Sequence, residues 1–236
     1  MISVCMATYN GERYLRRQVE SILSQLADGD ELIVSDDGST DGTPALLESL
    51  ADPRLRILQN SGKRGVDANF DNALRHAKGD YIFLADQDDV WLPGKVSRCL
   101  RELQEHICVV HDAFITDGNL QMSGATLFSV TGTPHPGVWR NIMRNSFTGC
   151  CMAFRAELLR HATPIPSAGG FYHDQWLGLV ALRHGTVAAI TEPLILFRRN
   201  DSSASSAGCK SRLSLFRKLK YRAMLAATLC PQFFRK

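Results

Sequence analysis

The chain has 236 residues, 44% of them hydrophobic, with a formal net charge of +3, a composition that argues for a globular protein able to bury one good core rather than a disordered one. No apolar run approaches the roughly 20 residues that span a bilayer, and Met1 to Cys5 lacks the basic and apolar segments of a signal peptide, so a cytoplasmic protein is expected. Seven cysteines, an odd number with no Cys-x-x-Cys pair, point to buried free thiols and away from a disulfide framework or a zinc site.

The small net charge hides a split. Residues 1–197 carry 17 Lys/Arg against 23 Asp/Glu, whereas residues 198–236 carry 10 against one. Body and tail must meet different surroundings, or each other.

In chain order, residues 2–7 read as a strand covered on both faces, ending in Thr8-Tyr9-Asn10-Gly11-Glu12. Tyr14, Leu15, Gln18, Val19, Ile22 and Leu23 then recur at helical spacing, with a stop near Asp28-Gly29. A second strand, 31–35, opens into Asp36-Asp37-Gly38-Ser39-Thr40-Asp41-Gly42-Thr43, where Thr43 is expected to cap a helix with Pro44 at its first position. Residues 55–58 form a third strand, and Gly62-Lys63-Arg64-Gly65 is a basic loop before a helix over 68–77. A fourth strand, 81–85, runs into Asp86-Gln87-Asp88-Asp89-Val90-Trp91. Three strand–loop–helix repeats entering a fourth strand predict an α/β fold with a mostly parallel central sheet flanked by helices.

Beyond Pro93 a helix through Val96, Leu100 and Leu103 is expected, then a strand over 107–111 ending at Asp112. Residues 113–145 are rich in turns and are expected to lie partly across the ligand cleft. Residues 146–154 read as a strand through small side chains, with Gly149 allowing close backbone approach. Gly169-Gly170-Phe171 leads into a helix from Asp174 through Trp176, Leu177, Val180 and Leu182 to Gly185, and 187–197 returns as extended chain interrupted by Pro193. Residues 200–208 read as a linker. The acid-free segment 209–236 is basic and amphipathic, suited either to an anionic membrane surface or to the acidic body of its own chain.

The chemistry lies at the predicted strand ends. Carboxylates as close as Asp86, Asp88 and Asp89 repel one another, and their desolvation needs a cation or strong donors. Asp86 and Asp88 alternate along the chain and can turn toward one hard ion, while a solvated acidic turn is the plain alternative. Asp37, after the second strand, suits a ribose or base, or else caps a turn. Lys63 or Arg64 suits a phosphate. Asp174 can cap its helix or serve as a general base. Gly-x-Gly-x-x-Gly and the Gly-x-x-x-x-Gly-Lys-Ser/Thr loop are both absent, which disfavours a nicotinamide dehydrogenase or an ATPase.

Ala7-Thr8-Tyr9-Asn10-Gly11, residues 34–43 and Asp86-Gln87-Asp88-Asp89-Val90-Trp91 together resemble the inverting glycosyltransferases of family 2, which have the GT-A fold. Asn69-Phe70, Phe147-Thr148-Gly149-Cys150 and His173-Asp174-Gln175-Trp176 agree with the same pattern, over about residues 2–200, and lean toward bacterial rhamnosyltransferase-like members that build surface polysaccharide. The resemblance implies a single GT-A domain over 1–200, its donor half about 1–112 and its acceptor half about 113–200, followed by the linker and basic segment at 201–236. It implies donor contacts from Thr8, Tyr9, Asn10, Glu12, Asp37, Lys63, Arg64, Asn69, Asp86 and Gln87. It implies a divalent cation, Mg2+ or Mn2+, on Asp88 and Asp86, and Asp174 as the base that deprotonates the acceptor hydroxyl. Family members often carry an Arg-x-His-x-x-Asn segment after the last core strand; here it reads Phe197-Arg198-Arg199-Asn200-Asp201-Ser202, so Arg199 is the candidate for the missing positive charge.

The expected function is inverting transfer of a sugar, rhamnose among the candidates, from a nucleotide-diphosphate donor to a glycan or lipid-linked glycan. The enzyme would sit at the inner face of the cell membrane. A sugar-phosphate nucleotidyltransferase and an inactive nucleotide- or polysaccharide-binding protein are the competing readings. Nucleic acid is not an expected partner, because no recognition module accompanies the basic tail.

Overall fold

The computed structural model describes residues 1–166, 172–199 and 215–234. The expected glycine-led segment at 169–171, the linker at 200–208 and residues 209–214 of the tail lie outside the described residues.

The N-terminal half alternates as expected: β1 (Ile2–Thr8), α1 (Glu12–Leu23), β2 (Glu31–Asp36), α2 (Thr43–Ser49), β3 (Leu55–Gln59), α3 (Val66–His76) and β4 (Tyr81–Asp86). β1 pairs in parallel with β2 on one side and β4 on the other, and β2 with β3. Thr8 faces Asp36 and Ala7 faces Asp86, so three strands finish level at their carboxyl ends. Buried Val4, Cys5, Met6, Leu32, Ile33, Val34, Phe83 and Leu84 fill both faces of this half, which is why these strands read as continuous apolar runs without alternation.

The second half supplies β5 (Val90–Trp91), α4 (Lys95–Glu102), β6 (Cys108–Thr116), β7 (Met122–Thr126), α5 (Leu127–Thr131), α6 (Val138–Met143), β8 (Met152–Arg155), α7 (Leu159–Ala162), α8 (His173–His184), β9 (Val187–Arg198) and α9 (Leu215–Phe234). The sheet runs β3-β2-β1-β4-β8-β6-β9-β5, with β7 beside β6. β8 enters antiparallel between β4 and β6, while β9 lies parallel to β6, so most paired residues belong to parallel ladders.

Several local expectations are corrected. α1 stops at Leu23, short of Asp28. Thr43 is the first residue of α2 rather than its cap; the cap is Gly42, and the Thr43 hydroxyl instead accepts from the Gly11 N–H at 2.8 Å. Residues 146–154 are not one strand: Gly149–Cys151 form a 3-10 turn before β8 begins. β6 runs on through Asp112 to Thr116, because the aromatic and β-branched run Phe114-Ile115-Thr116 continues the ladder. β9 passes through Pro193 by a bulge, since His111 faces Ile190 and Asp112 faces Pro193, the position in a strand where a residue without an N–H is tolerated. All six cysteines among the described residues are free, five of them buried.

Candidate active site

The level ends of β2, β1 and β4 bring the first three motifs together. Gln87 joins two of them: its Oε1 accepts from the Thr8 hydroxyl at 2.7 Å and the Tyr9 N–H at 2.8 Å, and its Nε2 donates to the Tyr9 carbonyl. Asn69 reaches across from α3 to donate to the Thr8 carbonyl at 3.1 Å. The Asp37 N–H donates to that same carbonyl, while its carboxylate accepts from Asn60 Nδ2 at 2.7 Å and the Gly65 N–H at 2.8 Å. Asp37 is thus held by the basic loop, with Arg64 lying over Gly38, whose φ of +82° suits only glycine without strain. Asp36 folds inward to close its own loop on Gly38 and Ser39. Asn10 and Glu12 are engaged in joining the two loops. Asn10 Oδ1 accepts from the Thr40 N–H, and Glu12 accepts from the Gly42 N–H at 2.9 Å.

The acidic signature forms the turn from β4 into β5. Asp89 is buried, its Oδ1 accepting from the Arg198 N–H at 3.0 Å and its Oδ2 without a hydrogen-bond partner. Burial, then the charges of Asp88 and Asp86, push the Asp89 pKa well up; burial also raises that of Asp86. Two cations answer this charge. Arg198 donates to the Asp88 carbonyl at 2.6 Å and to the Gly118 carbonyl, and stacks on Tyr14 at 4.3 Å. Lys95, fully buried, donates to the Cys150 carbonyl at 2.9 Å over the Trp91 ring at 4.0 Å. Neither cation was singled out from the sequence: the expectation fell on Arg199, whose backbone N–H donates to Thr116 while the neighbouring Arg198 reaches the signature.

Oxygen and sulfur atoms of Asp86, Asp89 and Cys150 lie within 4.8 Å of one another. The Cys150 thiol is held protonated by its hydrogen bond with Cys151 and by burial, which leaves carboxylate oxygens as the donor set. With a buried Asp89 oxygen lacking a partner and Asp88 next along the turn, this chemistry fits a hard divalent cation.

The fourth motif arrives with α8. His173 donates its N–H to Asp67 at 2.7 Å, sets its Nδ1 3.0 Å from the same oxygen, and stacks on Phe70 at 4.1 Å. Its Nε2 is buried, at a place where a Cβ on Gly149 would stand only 2.6 Å away. Gly149 thus permits the close approach expected of it. Burial opposes charge on His173, but the hydrogen bond it donates to Asp67 and the charges of Asp174, Asp67 and Asp86 outweigh it and raise its pKa. Asp174 is raised by burial, and further by Asp67 and Asp86, while His173 opposes the rise. Its Oδ1 accepts from the Gln175 N–H at 2.6 Å and from Asn145 Nδ2 at 3.3 Å. Gly149 lies against His173 and Asp174, and the next residue, Cys150, sets its thiol beside Asp86 and Asp89, so the fourth motif adjoins the acidic turn; the charge of Asp86 reaches Asp174, and that of His173 reaches both. Asp67, Asn60 and Asn145 carry no motif of their own; only a tertiary partner reveals them. A separate hollow of about 610 Å³ lies at the other end of β4, lined by Lys78, Asp80, Tyr81, Arg155 and Arg160 among others.

The chain belongs to glycosyltransferase family 2: residues 3–162 match the family model described as Glycosyl transferase family 2. It is 27% identical over 213 residues to the Escherichia coli UDP-Glc:alpha-D-GlcNAc-diphosphoundecaprenol beta-1,3-glucosyltransferase WfgD, covering 87% of this chain and 80% of that protein. Other curated relatives are longer, and the chain spans only half of one from Bacillus subtilis. Among solved structures it superposes on Staphylococcus aureus TarS in complex with UDP-GlcNAc with a TM-score of 0.72 at 18% identity, over 97% of this chain and 66% of that one. It also superposes on the Mycobacterium tuberculosis glucosyl-3-phosphoglycerate synthase in complex with Mn2+, UDP and phosphoglyceric acid, with a TM-score of 0.60 at 21% identity, over 99% and 78%. The fold is GT-A, and the protein is a glycosyltransferase.

Proposed function

We propose that this glycosyltransferase moves a sugar from a nucleotide-diphosphate donor onto a hydroxyl of a surface-polysaccharide precursor, a glycan or lipid-linked glycan, with inversion at the anomeric carbon. One observation carries the reading: Asp174 lies against Gly149, the residue before Cys150, whose thiol stands with the acidic-turn carboxylates Asp86 and Asp89, and burial, with the charges of Asp67 and Asp86, raises its pKa. Asp174 takes the acceptor proton, the acceptor oxygen bonds to the anomeric carbon, and the bond to the diphosphate breaks on the opposite face. A raised pKa suits a carboxylate to that task near neutral pH. In this reading Asp37 faces the base or ribose, and Thr8, Tyr9, Asn69 and Gln87 frame the nucleotide. Asn10 and Glu12 brace the loops, and Lys63 and Arg64 flank the phosphates. Arg198 and Lys95 fix the turn, with Arg199 beside it. Asp88 and Asp86 would hold Mg2+ or Mn2+. A bound divalent cation neutralises charge on a departing diphosphate.

The acceptor class is supported by WfgD, whose name gives a lipid-diphosphate-linked sugar as acceptor. A lipid-linked acceptor also supports work at the inner membrane face, with residues 1–112 serving the donor and 113–200 the acceptor. Rhamnosyl donors belong in the donor panel beside glucosyl and N-acetylglucosaminyl ones. The test is nucleoside diphosphate release from that panel, with each cation, with and without glycan acceptors. Acceptor-dependent release supports the proposal, whereas pyrophosphate formation from a nucleoside triphosphate, or donor binding without turnover under every condition, contradicts it.

A further inference from the structure

The face built by α6 and α9 is apolar where a polar surface would be expected. Trp139 is 70% exposed, and Met143, one turn on, and Leu219 of α9 are each 53% exposed. Trp139 and Met143 stand four residues apart, and so share one side of α6. The two helices are joined there: Arg222 Nη2 donates to the Met143 carbonyl at 2.6 Å, and Leu219 lies three residues before Arg222 on the same side of α9. Exposed Tyr172 stands beside Tyr221 of α9.

The charges carried by the segments that build this face have one sign. No Asp or Glu occurs from residue 118 to 156, nor from 202 to 236. Arg140 of α6, Arg144 just past its end and Lys220 of α9 are exposed. A protein partner's groove would call for apolar depth or mixed charge. Large apolar side chains amid arginine and lysine, with no carboxylate on either helix, instead match an anionic lipid interface, where tryptophan settles at headgroup depth and basic residues meet phosphate.

We infer that the α6–α9 face docks on an anionic bilayer, with Trp139, Met143 and Leu219 entering the interface. This face is also tied to the catalytic basin. Gln175, next to Asp174, donates to the Asn141 carbonyl of α6 at 2.7 Å and accepts from the Tyr221 hydroxyl of α9. Asn145, which touches Asp174, follows Met143 by two residues. Docking would therefore bring a membrane-borne acceptor to the side of the base. The inference concerns binding and does not depend on the donor or on turnover.

The chain carries its own probe. Trp91 and Trp176 are each 3% exposed, which leaves Trp139 as the solvent-facing one of three tryptophans. The full chain is mixed with vesicles of phosphatidylcholine alone, or with about 30% phosphatidylglycerol, a level that gives an anionic surface potential. Sedimentation with the anionic vesicles only is expected, with a blue shift of tryptophan emission and quenching by brominated acyl chains. Arg140→Glu/Arg144→Glu should lower partitioning at least twentyfold, from roughly fivefold per basic residue near the surface. Trp139→Ser should weaken it and abolish both the shift and the quenching. Turnover of a water-soluble acceptor should be unchanged in these variants, which separates failure of docking from failure of the enzyme. No partitioning, partitioning without quenching of Trp139, or burial of Trp139 through self-association would each overturn the inference.

Discussion

Asp174 carries the strongest single-residue prediction. Asp174→Asn preserves shape and removes the base, so acceptor-dependent turnover should fall by roughly 10²–10⁴ while donor affinity stays near wild type. Because burial raises its pKa, kcat/KM should climb with pH along an acid limb that lies above the ordinary aspartate value of about 4. His173 gives a complementary test. Its folded pKa is raised above 6.5, so the stability it contributes is complete below the unfolded value and is lost as pH rises through the folded one. Asp67→Asn removes the partner that holds this proton. Titration of the His173 ring by NMR should then show a lower pKa than in wild type; equal values in the two proteins would refute the pairing.

At the scale of elements, β9 and α8 deliver side chains to a turn that belongs to the other half of the chain. Arg198, at the end of β9, clamps the Asp86–Trp91 turn through the Asp88 and Gly118 carbonyls. Arg198→Ala should destabilise the protein by about 2 kcal/mol in urea unfolding, from the loss of charged hydrogen bonds. α8 is buried nearly all round, and a Cβ on Gly178 would meet the Phe147 ring at 2.3 Å. Gly178→Ala should therefore lower the thermal midpoint, at a cost of about 1–3 kcal/mol typical of overpacking. The same elements mark how far the sequence could be read. The parallel half was legible because each strand is a short apolar run that ends in polar loop residues. The acidic turn, Asp37 and Asp174 were legible because each sits in a motif. Lys95, Asp67 and Arg198 were not, since each acts through a partner 55 to 110 residues away: Lys95 through Cys150, Asp67 through His173 and Arg198 through Asp88. The span 146–154 was misread because small residues leave a strand and a 3-10 turn equally open to local propensity.

Taken as a whole, the molecule sets a parallel N-terminal half beside a basic, partly apolar face on α6 and α9, with α8, which carries His173 and Asp174, packed against α3 and both of those helices. Asp88→Ala should abolish the dependence of donor binding on Mg2+ or Mn2+, read by calorimetry with and without chelator; an unchanged cation response would remove Asp88 from the site. The central claim is that Asp37, the acidic turn and Asp174 serve one ligand. Its most direct test is a crystal structure of the full chain with a divalent cation and the nucleoside diphosphate that the donor screen identifies. The account predicts the base against Asp37, the diphosphate at the Asp86–Trp91 turn, and Asp174 facing the open side of the phosphates. A diphosphate seated instead in the hollow between Lys78 and Arg160, with that turn left empty, would contradict it.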